Sequence, residues 1–216
     1  MFFIKIYIFY FIISITYMIN NNDVFDKYAK IWNSYSFVQE NAKNFAKYLN
    51  ENDYLNKDLI TMDFGCGTGI LGLKIINNVK KLIFLDSSKE MIKQVKSGLI
   101  EKNVLNYEII EGEINSYKGD KIDLILVANV FHHIKDINNI IYDFSKILKK
   151  GGKVLVVDLI ETKEDFHGGS APHNGFKPEK VAQLFKNNKF SNVKYENFYD
   201  IKIGKNYKQF IIIAEL

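Results

Sequence analysis

The feature that most narrows the fold is a glycine cluster placed directly behind a short apolar run. Leu59 to Phe64 is apolar apart from Thr61 and Asp63, reads as a buried strand, and runs into Gly65-Cys66-Gly67-Thr68-Gly69. From Ile70 to Ile76 the pattern turns helical. Glycines between a strand and a helix let the backbone turn sharply and approach a ligand without a Cβ in the way. The alternation then repeats. Strand patterns cover Lys81 to Leu85, Tyr107 to Ile110, Ile122 to Val127 and Val154 to Val157. Helical patterns cover Lys89 to Lys96, Ile137 to Leu148 and Pro178 to Lys186, and before the first strand Ala42, Phe45, Ala46 and Leu49 share one helix face. Strands separated by helices of this length predict a parallel sheet wound with right-handed crossovers. Two longer strand patterns, about Val193 to Ile203 and Tyr207 to Ala214, are joined through Gly204-Lys205-Asn206 and predict a terminal antiparallel hairpin.

Length and composition fit one such domain over residues 20–216. The chain has 216 residues, 47% of them apolar, enough to bury a core of that size. Its net charge of +4 comes from scattered lysines, which argues against a nucleic-acid footprint gathered on one face. The single cysteine, Cys66, excludes an intramolecular disulfide and is compatible with a reducing, cytoplasmic location. Residues 1–19 stand apart. From Phe2 to Ile19 only Lys5, Ser14 and Thr16 interrupt an apolar run that approaches the length of a membrane span. It reads either as a signal-anchor or as a non-functional extension ahead of Met18, and residues 2–19 are the one place where membrane contact is expected.

The glycine turn also contains the dinucleotide pattern as Gly67-x-Gly69-x-x-Gly72, and Asp86 follows at the end of the second strand, where a ribose-binding carboxylate belongs. Alone, this fits an NAD(P)-dependent oxidoreductase about as well as an S-adenosylmethionine enzyme. Asp63 separates the two. A dinucleotide brings a pyrophosphate to this turn, which a carboxylate repels, whereas S-adenosylmethionine brings an ammonium and a sulfonium. The plain alternative for Asp63 is a strand-ending or turn-capping residue.

Asp63 to Gly69 resembles the first motif of the class I S-adenosylmethionine-dependent methyltransferases, and Leu85-Asp86-Ser87-Ser88-Lys89-Glu90-Met91 their second-strand motif. Glu111-Gly112-Glu113 is similar to the acidic loop after the third strand, and Phe131-His132-His133-Ile134 to the segment after the fourth. The likeness runs from about Phe25 to the C-terminus. It implies a Rossmann-like, doubly wound α/β fold with a seven-stranded sheet, mostly parallel, whose C-terminal strand is antiparallel. It further implies that Asp63 and the turn of Gly65, Cys66, Gly67 and Gly69 hold the methionyl end of the cofactor, and that Asp86 accepts from both ribose hydroxyls. Ser87 and Met91 are expected against the adenosine, Glu113 or the Ile114 amide on the adenine edge, and Asn129 beside the cofactor. Met91 reads equally well as helix core.

Methyl transfer asks the protein to align the reactants and to remove a proton where the acceptor carries one. His132 and His133 follow the fourth strand and His167 and His173 follow the fifth, so all four are candidate bases at the carboxyl ends of the strands. Being adjacent, His132 and His133 are expected to point apart, with at least one structural. No metal-ligand spacing is present, although His167 and His173 with Asp158 or Glu161 form a conceivable set. The loop from Asp165 to Phe176 and the aromatic stretch from Phe25 to Phe37 are the two expected lids. Ala128-Asn129-Val130-Phe131 lacks the Asn/Asp-Pro-Pro-aromatic signature of base or glutamine methylation, so a small-molecule acceptor is expected and nucleic acid is not. A cofactor-binding protein without turnover is the third reading, since a fold does not guarantee catalysis.

Overall fold

The structure, a computed structural model, describes residues 21–164 and 171–216. The apolar segment at residues 1–19 and His167 lie outside the described residues. The described part begins with helices α1 (Asn21–Trp32) and α2 (Ser36–Glu51). Strand β1 (Ile60–Phe64) is followed by the short helix α3 (Gly72–Ile75), which tightens into a 3₁₀ turn at Ile76–Asn78. Then come β2 (Lys81–Asp86), α4 (Lys89–Lys102), β3 (Tyr107–Glu111), β4 (Ile122–Ala128), α5 (Ile137–Ile147) and β5 (Leu148–Leu159). The chain closes with α6 (Pro178–Asn187), β6 (Ser191–Asn197), β7 (Ile201–Ile203), β8 (Lys205–Tyr207) and β9 (Gln209–Glu215).

Seven strands form one sheet in the order β3-β2-β1-β4-β5-β9-β6. The pairs from β3 to β5 are parallel, and β9 runs antiparallel to both β5 and β6. This is the expected mostly parallel sheet with an antiparallel C-terminal strand.

The strands are near-continuous apolar runs because both faces are covered, as parallel sheets require. Met62, Phe64, Ile83, Leu85, Ile125 and Val127 pack with Ile141 and Phe144 of α5 and Val181 and Phe185 of α6. Their alternating neighbours Leu82, Phe84, Leu124 and Leu126 pack with Phe45 and Leu49 of α2, Ile75 of α3 and Val95 of α4. Asp63 and Thr61 are flanked by these core residues and are themselves buried.

Two elements differ from the sequence reading. The long strand expected over Val193 to Ile203 is broken: β6 stays in the main sheet, while β7 pairs with β8 in a separate two-stranded hairpin. Gly204, at a φ of 71°, makes that hairpin's tight turn. Ile201, Ile203 and Tyr207 bury themselves against Leu159 beyond the end of β5. The fifth strand also begins earlier than expected. Leu148 pairs with Ile122 and Lys153 with Leu124, so the intervening lysines and glycines bulge out. Among the described residues, no helix is long and apolar enough to cross a membrane.

Candidate active site

Strand order reverses between β1 and β4, and the crevice outside the carboxyl ends of such strands is where open α/β sheets bind ligands. A cavity of about 600 Å³ opens there, lined from the sheet by Asp63, Asp86, Ala128 and Leu159. Most of the residues singled out from the sequence border it: Asp63, Gly65, Cys66, Gly67, Asp86, Ser87, Met91, Glu113, Ile114, Asn129, His132 and His133. Gly69 and His173 do not.

The glycine turn is zipped onto the end of β2. Gly65 and Cys66 donate their N–H groups to the Leu85 carbonyl at 2.8 and 3.0 Å, and the Gly67 N–H donates to Asp86 Oδ2 at 2.7 Å. Gly67 takes a φ of 55°, and a Cβ there would meet only the Trp32 indole nitrogen at 3.9 Å, so this position is open to a close-lying ligand. The last glycine of the pattern does a different job. A Cβ on Gly72 would lie 2.3 Å from Phe84 Cε1, so glycine is needed there for helix-on-strand packing. Gly69 is similar: its Cβ would press on Val95 and Phe84 at 3.1 and 3.2 Å, which places it in the core rather than on the cofactor, contrary to expectation.

The turn's hydrogen bonds also decide which charge it can hold. Gly69 donates to the Cys66 carbonyl at 2.9 Å, and Gly72, at the start of α3, donates to Asp63 Oδ2 at 3.1 Å. The amides of Gly65, Cys66, Gly67, Gly69 and Gly72 are thus spent inside the protein and not free to grip a pyrophosphate. What Gly65 and Gly67 can offer is carbonyl oxygen, which suits an ammonium. Asp63 is 2% exposed, and burial pushes its carboxyl from 3.8 up to about 7, opposed by the Gly72 amide and assisted by nearby Asp86. A buried carboxylate with no cation beside it among the described residues, at the wall of a cavity, fits a positively charged ligand.

Asp86 is held as a ribose-binding carboxylate should be. Oδ2 accepts from Gly67 and Oδ1 from the Ser88 N–H at 2.8 Å, and the Ser87 amide also bonds this carboxylate. Burial also raises its carboxyl, against the pull of those amides. Ser88, which the sequence reading passed over, caps α4 by accepting from the Met91 N–H at 3.1 Å and donates to Asp26 Oδ1 at 2.5 Å. Asp26 also accepts from the Glu90 N–H, tying α1 across the cavity mouth. Met91 is 1% exposed and Ser87 is exposed at the rim, while Glu113 is exposed and Ile114 buried on the opposite side. Burial pushes the Cys66 thiol well up, which makes it an inert wall residue.

Beyond β4, Asn129 adopts a φ of 57° and its Oδ1 accepts from Gln209 Nε2 at 2.7 Å. The following 3₁₀ turn, Phe131–His133, places both histidines on the cavity with ring centroids 4.1 Å apart, so adjacency has not separated them. They differ in their surroundings. His132 is 3% exposed and its Nδ1 lies 2.6 Å from Oδ1 of Asp158, which is fully buried. His133 is half-buried, edge-on to Phe25 at 5.0 Å. His173 instead staples its loop, donating from Nε2 to the Ile134 carbonyl at 3.1 Å. Asp158, named from the sequence only as a conceivable metal ligand, is instead the hydrogen-bond partner of His132. Its signal was a carboxylate inside the apolar run Val154 to Leu159. Among the described residues, no group of three or more His, Cys, Asp or Glu could hold a metal ion.

Of the two expected lids, Phe25 to Phe37 forms a wall: Phe25, Tyr28, Trp32 and Phe37 all line the cavity. Of the second, Asp165 to Phe176, residues 165–170 lie outside the described residues; at its end the Phe176 N–H donates to the Leu159 carbonyl at 2.9 Å.

A doubly wound sheet of this order, with a glycine turn that suits a cation and a ribose-type carboxylate on β2, defines a methyltransferase-type Rossmann-like domain. The comparisons agree. Residues 62–154 match the family model for the methyltransferase domain. An uncharacterised methyltransferase of Schizosaccharomyces pombe is 29% identical over 163 residues, covering 66% of this chain and 57% of that protein. A malonyl-[acyl-carrier protein] O-methyltransferase of Ilyobacter polytropus is 33% identical over 141 residues, covering 63% of this chain and 52% of that protein. The chain therefore spans little more than half the length of these two relatives. In fold, it is similar to a chain in the complex between the Haloferax volcanii Trm112 methyltransferase activator and a methyltransferase, with TM-score 0.75, 14% identity and coverage of 91% and 97%. Together these likenesses support a class I S-adenosylmethionine-dependent methyltransferase, with S-adenosylmethionine as the methyl donor.

Proposed function

We propose that the chain transfers the methyl group of S-adenosylmethionine to a small molecule, with His132 as the base that takes the acceptor's proton. One observation carries the reading: a turn whose glycine amides are spent internally, beside the buried carboxylate of Asp63 and the half-buried carboxylate of Asp86, on one cavity. Asp63 and the carbonyls of Gly65 and Gly67 take the ammonium end, and Asp86 takes the ribose hydroxyls. Met91 and Ser87 flank the adenosine, and Glu113 and the Ile114 amide lie on its far side. The bound cofactor supplies an electrophilic methyl on a sulfonium, so the protein's task is alignment and proton removal.

For the second task, Asp158 accepts from His132 Nδ1–H and fixes the tautomer in which Nε2 is the basic nitrogen. Asp158 Oδ1 also accepts from the Leu159 N–H at 2.7 Å, which locks the carboxylate in place. A proton arriving at Nε2 makes an imidazolium that the buried carboxylate stabilises. Asp158 is a positioning residue and His132 the catalytic one.

Calorimetry with S-adenosylhomocysteine and, separately, NADH tests the cofactor assignment. Wild type is expected to bind the first and not the second. Asp86→Asn keeps the shape but weakens charge-assisted bonds, and should reduce affinity at least tenfold, since such a bond contributes about 1.5–3 kcal/mol. Tight NADH binding with no heat from S-adenosylhomocysteine overturns the reading.

A further inference from the structure

We infer that the acceptor end of the cavity takes an uncharged aromatic molecule bearing a hydroxyl, and that Asn41 is the side chain that orients it. The inference rests on the methyltransferase reading of the cavity and names what its other half binds.

Charge is the first observation. The 29 basic residues of this chain are all lysine, and no arginine is present to grip a carboxylate or phosphate in a bidentate fork. No lysine lines the cavity either, among the described residues, whereas Asp63, Asp86 and Glu113 do. An anionic acceptor would enter a site of its own sign with no counter-charge in the wall. That disfavours phosphate esters and carboxylates as acceptors.

Shape and surface are the second. The lining residues not assigned to the cofactor include the aromatics Phe25, Tyr28, Trp32 and Phe37 and the hairpin residues Ile201 and Ile203. Phe25 and Phe37 both stand edge-on to Trp32, at 5.8 and 6.3 Å with interplanar angles of 76° and 82°. Rings set at right angles offer a planar aromatic guest both a face and an edge to pack on. The buried base His132 borders this same space, which suits an acidic hydroxyl.

Asn41 is the third. It lies on the otherwise apolar buried face of α2, between Val38 and Ala42 on the cavity wall, and is 7% exposed. Among the described residues, neither its Oδ1 nor its Nδ2 has a hydrogen-bond partner. A buried amide left unpaired is destabilising, so its place at the cavity wall is explained by a polar atom that arrives with the acceptor. Together these give an apolar, planar slot with one neutral hydrogen-bonding anchor and one base.

Trp32 is the only tryptophan and lines the cavity, so its emission reports occupancy directly. The full chain, saturated with S-adenosylhomocysteine, is titrated with 1-naphthol, 1-naphthyl phosphate, 1-naphthoate and 1-naphthylmethylamine at pH 7. The expected result is saturable quenching by 1-naphthol, with affinity at least about tenfold above the two anions and the cationic amine. Asn41→Leu, which keeps the volume and removes both polar atoms, should weaken 1-naphthol about tenfold and leave S-adenosylhomocysteine binding within twofold. Should that variant fail to fold, Asn41→Ser is read in the same way, and the ranking of the four probes on the wild type stands by itself. The inference is overturned by equal or tighter binding of an anion or the amine, by no saturable quenching with 1-naphthol, or by an unchanged 1-naphthol affinity in the Asn41 variants. Absence of S-adenosylhomocysteine binding would instead sink the methyltransferase reading beneath it, so the two failures are distinct.

Discussion

Asp63 makes the folded protein's stability and its cofactor affinity depend on pH in opposite directions. Burial raises its carboxyl from 3.8 to about 7, so between those values the folded state holds a proton that the unfolded chain has released. Folding stability contributed by this group is therefore greatest below about pH 4, falls as pH rises, and levels off above about pH 7. The displacement corresponds to about 4 kcal/mol in total. A cationic ligand reverses the preference by stabilising the ionised form, so binding should expel a proton below pH 7. Asp63→Asn keeps an oxygen for the Gly72 amide and removes the ionisation. The variant should melt higher than wild type at pH 7.5 without ligand, with the two curves converging toward pH 4.5. It should also lose at least tenfold in S-adenosylhomocysteine affinity, the cost of a charged partner. Calorimetry at pH 6.5 in two buffers of different ionisation enthalpy counts the released proton, below the ordinary range of the ligand's own α-amino group. No proton release, together with identical melting profiles for wild type and Asp63→Asn across that range, would falsify the claim that this carboxyl awaits a cation.

Two further outcomes follow from the geometry. Asp158→Asn and His132→Asn should each cut methyl transfer by about 10²–10⁴-fold with cofactor affinity unchanged, and the pair should be far from additive because one residue acts through the other. Equal rates in a steady-state assay of wild type and His132→Asn would remove the base from this position. Gly72→Ala drives a Cβ to 2.3 Å from the Phe84 ring and should cost about 1–3 kcal/mol in chemical denaturation, with S-adenosylhomocysteine affinity of the folded fraction preserved. A large loss of affinity there would instead put Gly72 in the binding site.

The parts of this molecule that could be read from its sequence are those in which one physical cause acts over a short stretch. Ile60, Met62 and Phe64 read as a strand because β1 is buried, with Thr61 and Asp63 buried among them, and Gly65 and Gly67 follow because the chain must turn there. The break in the strand expected over Val193 to Ile203 was not readable in the same way. Ile201 and Ile203 have the alternation of any strand, and only their burial against Leu159, far away in the chain, decides that they leave the main sheet. Gly69 was misread for a related reason. Glycine is demanded equally by a close ligand and by a close helix, and the nearby Phe84 that settles the matter comes from the next strand.

The same distinction runs through the cavity itself. Its cofactor half is assembled almost entirely between β1 and the start of α4, so one contiguous motif carries it. Its acceptor half is drawn from α1, α2, the end of β5 and the β7–β8 hairpin, which meet only in the folded state. In such a region a polar residue on an apolar face is ambiguous as sequence. Gln209 and Asn41 are both buried amides, yet Gln209 is answered by Asn129, whereas Asn41 is answered by nothing among the described residues. An interior hydrogen-bonding group that the fold itself leaves unmatched is destabilising unless something outside the chain completes it. Recognition of the acceptor is therefore to be sought at Asn41, and recognition of the cofactor at the paired carboxylates of β1 and β2.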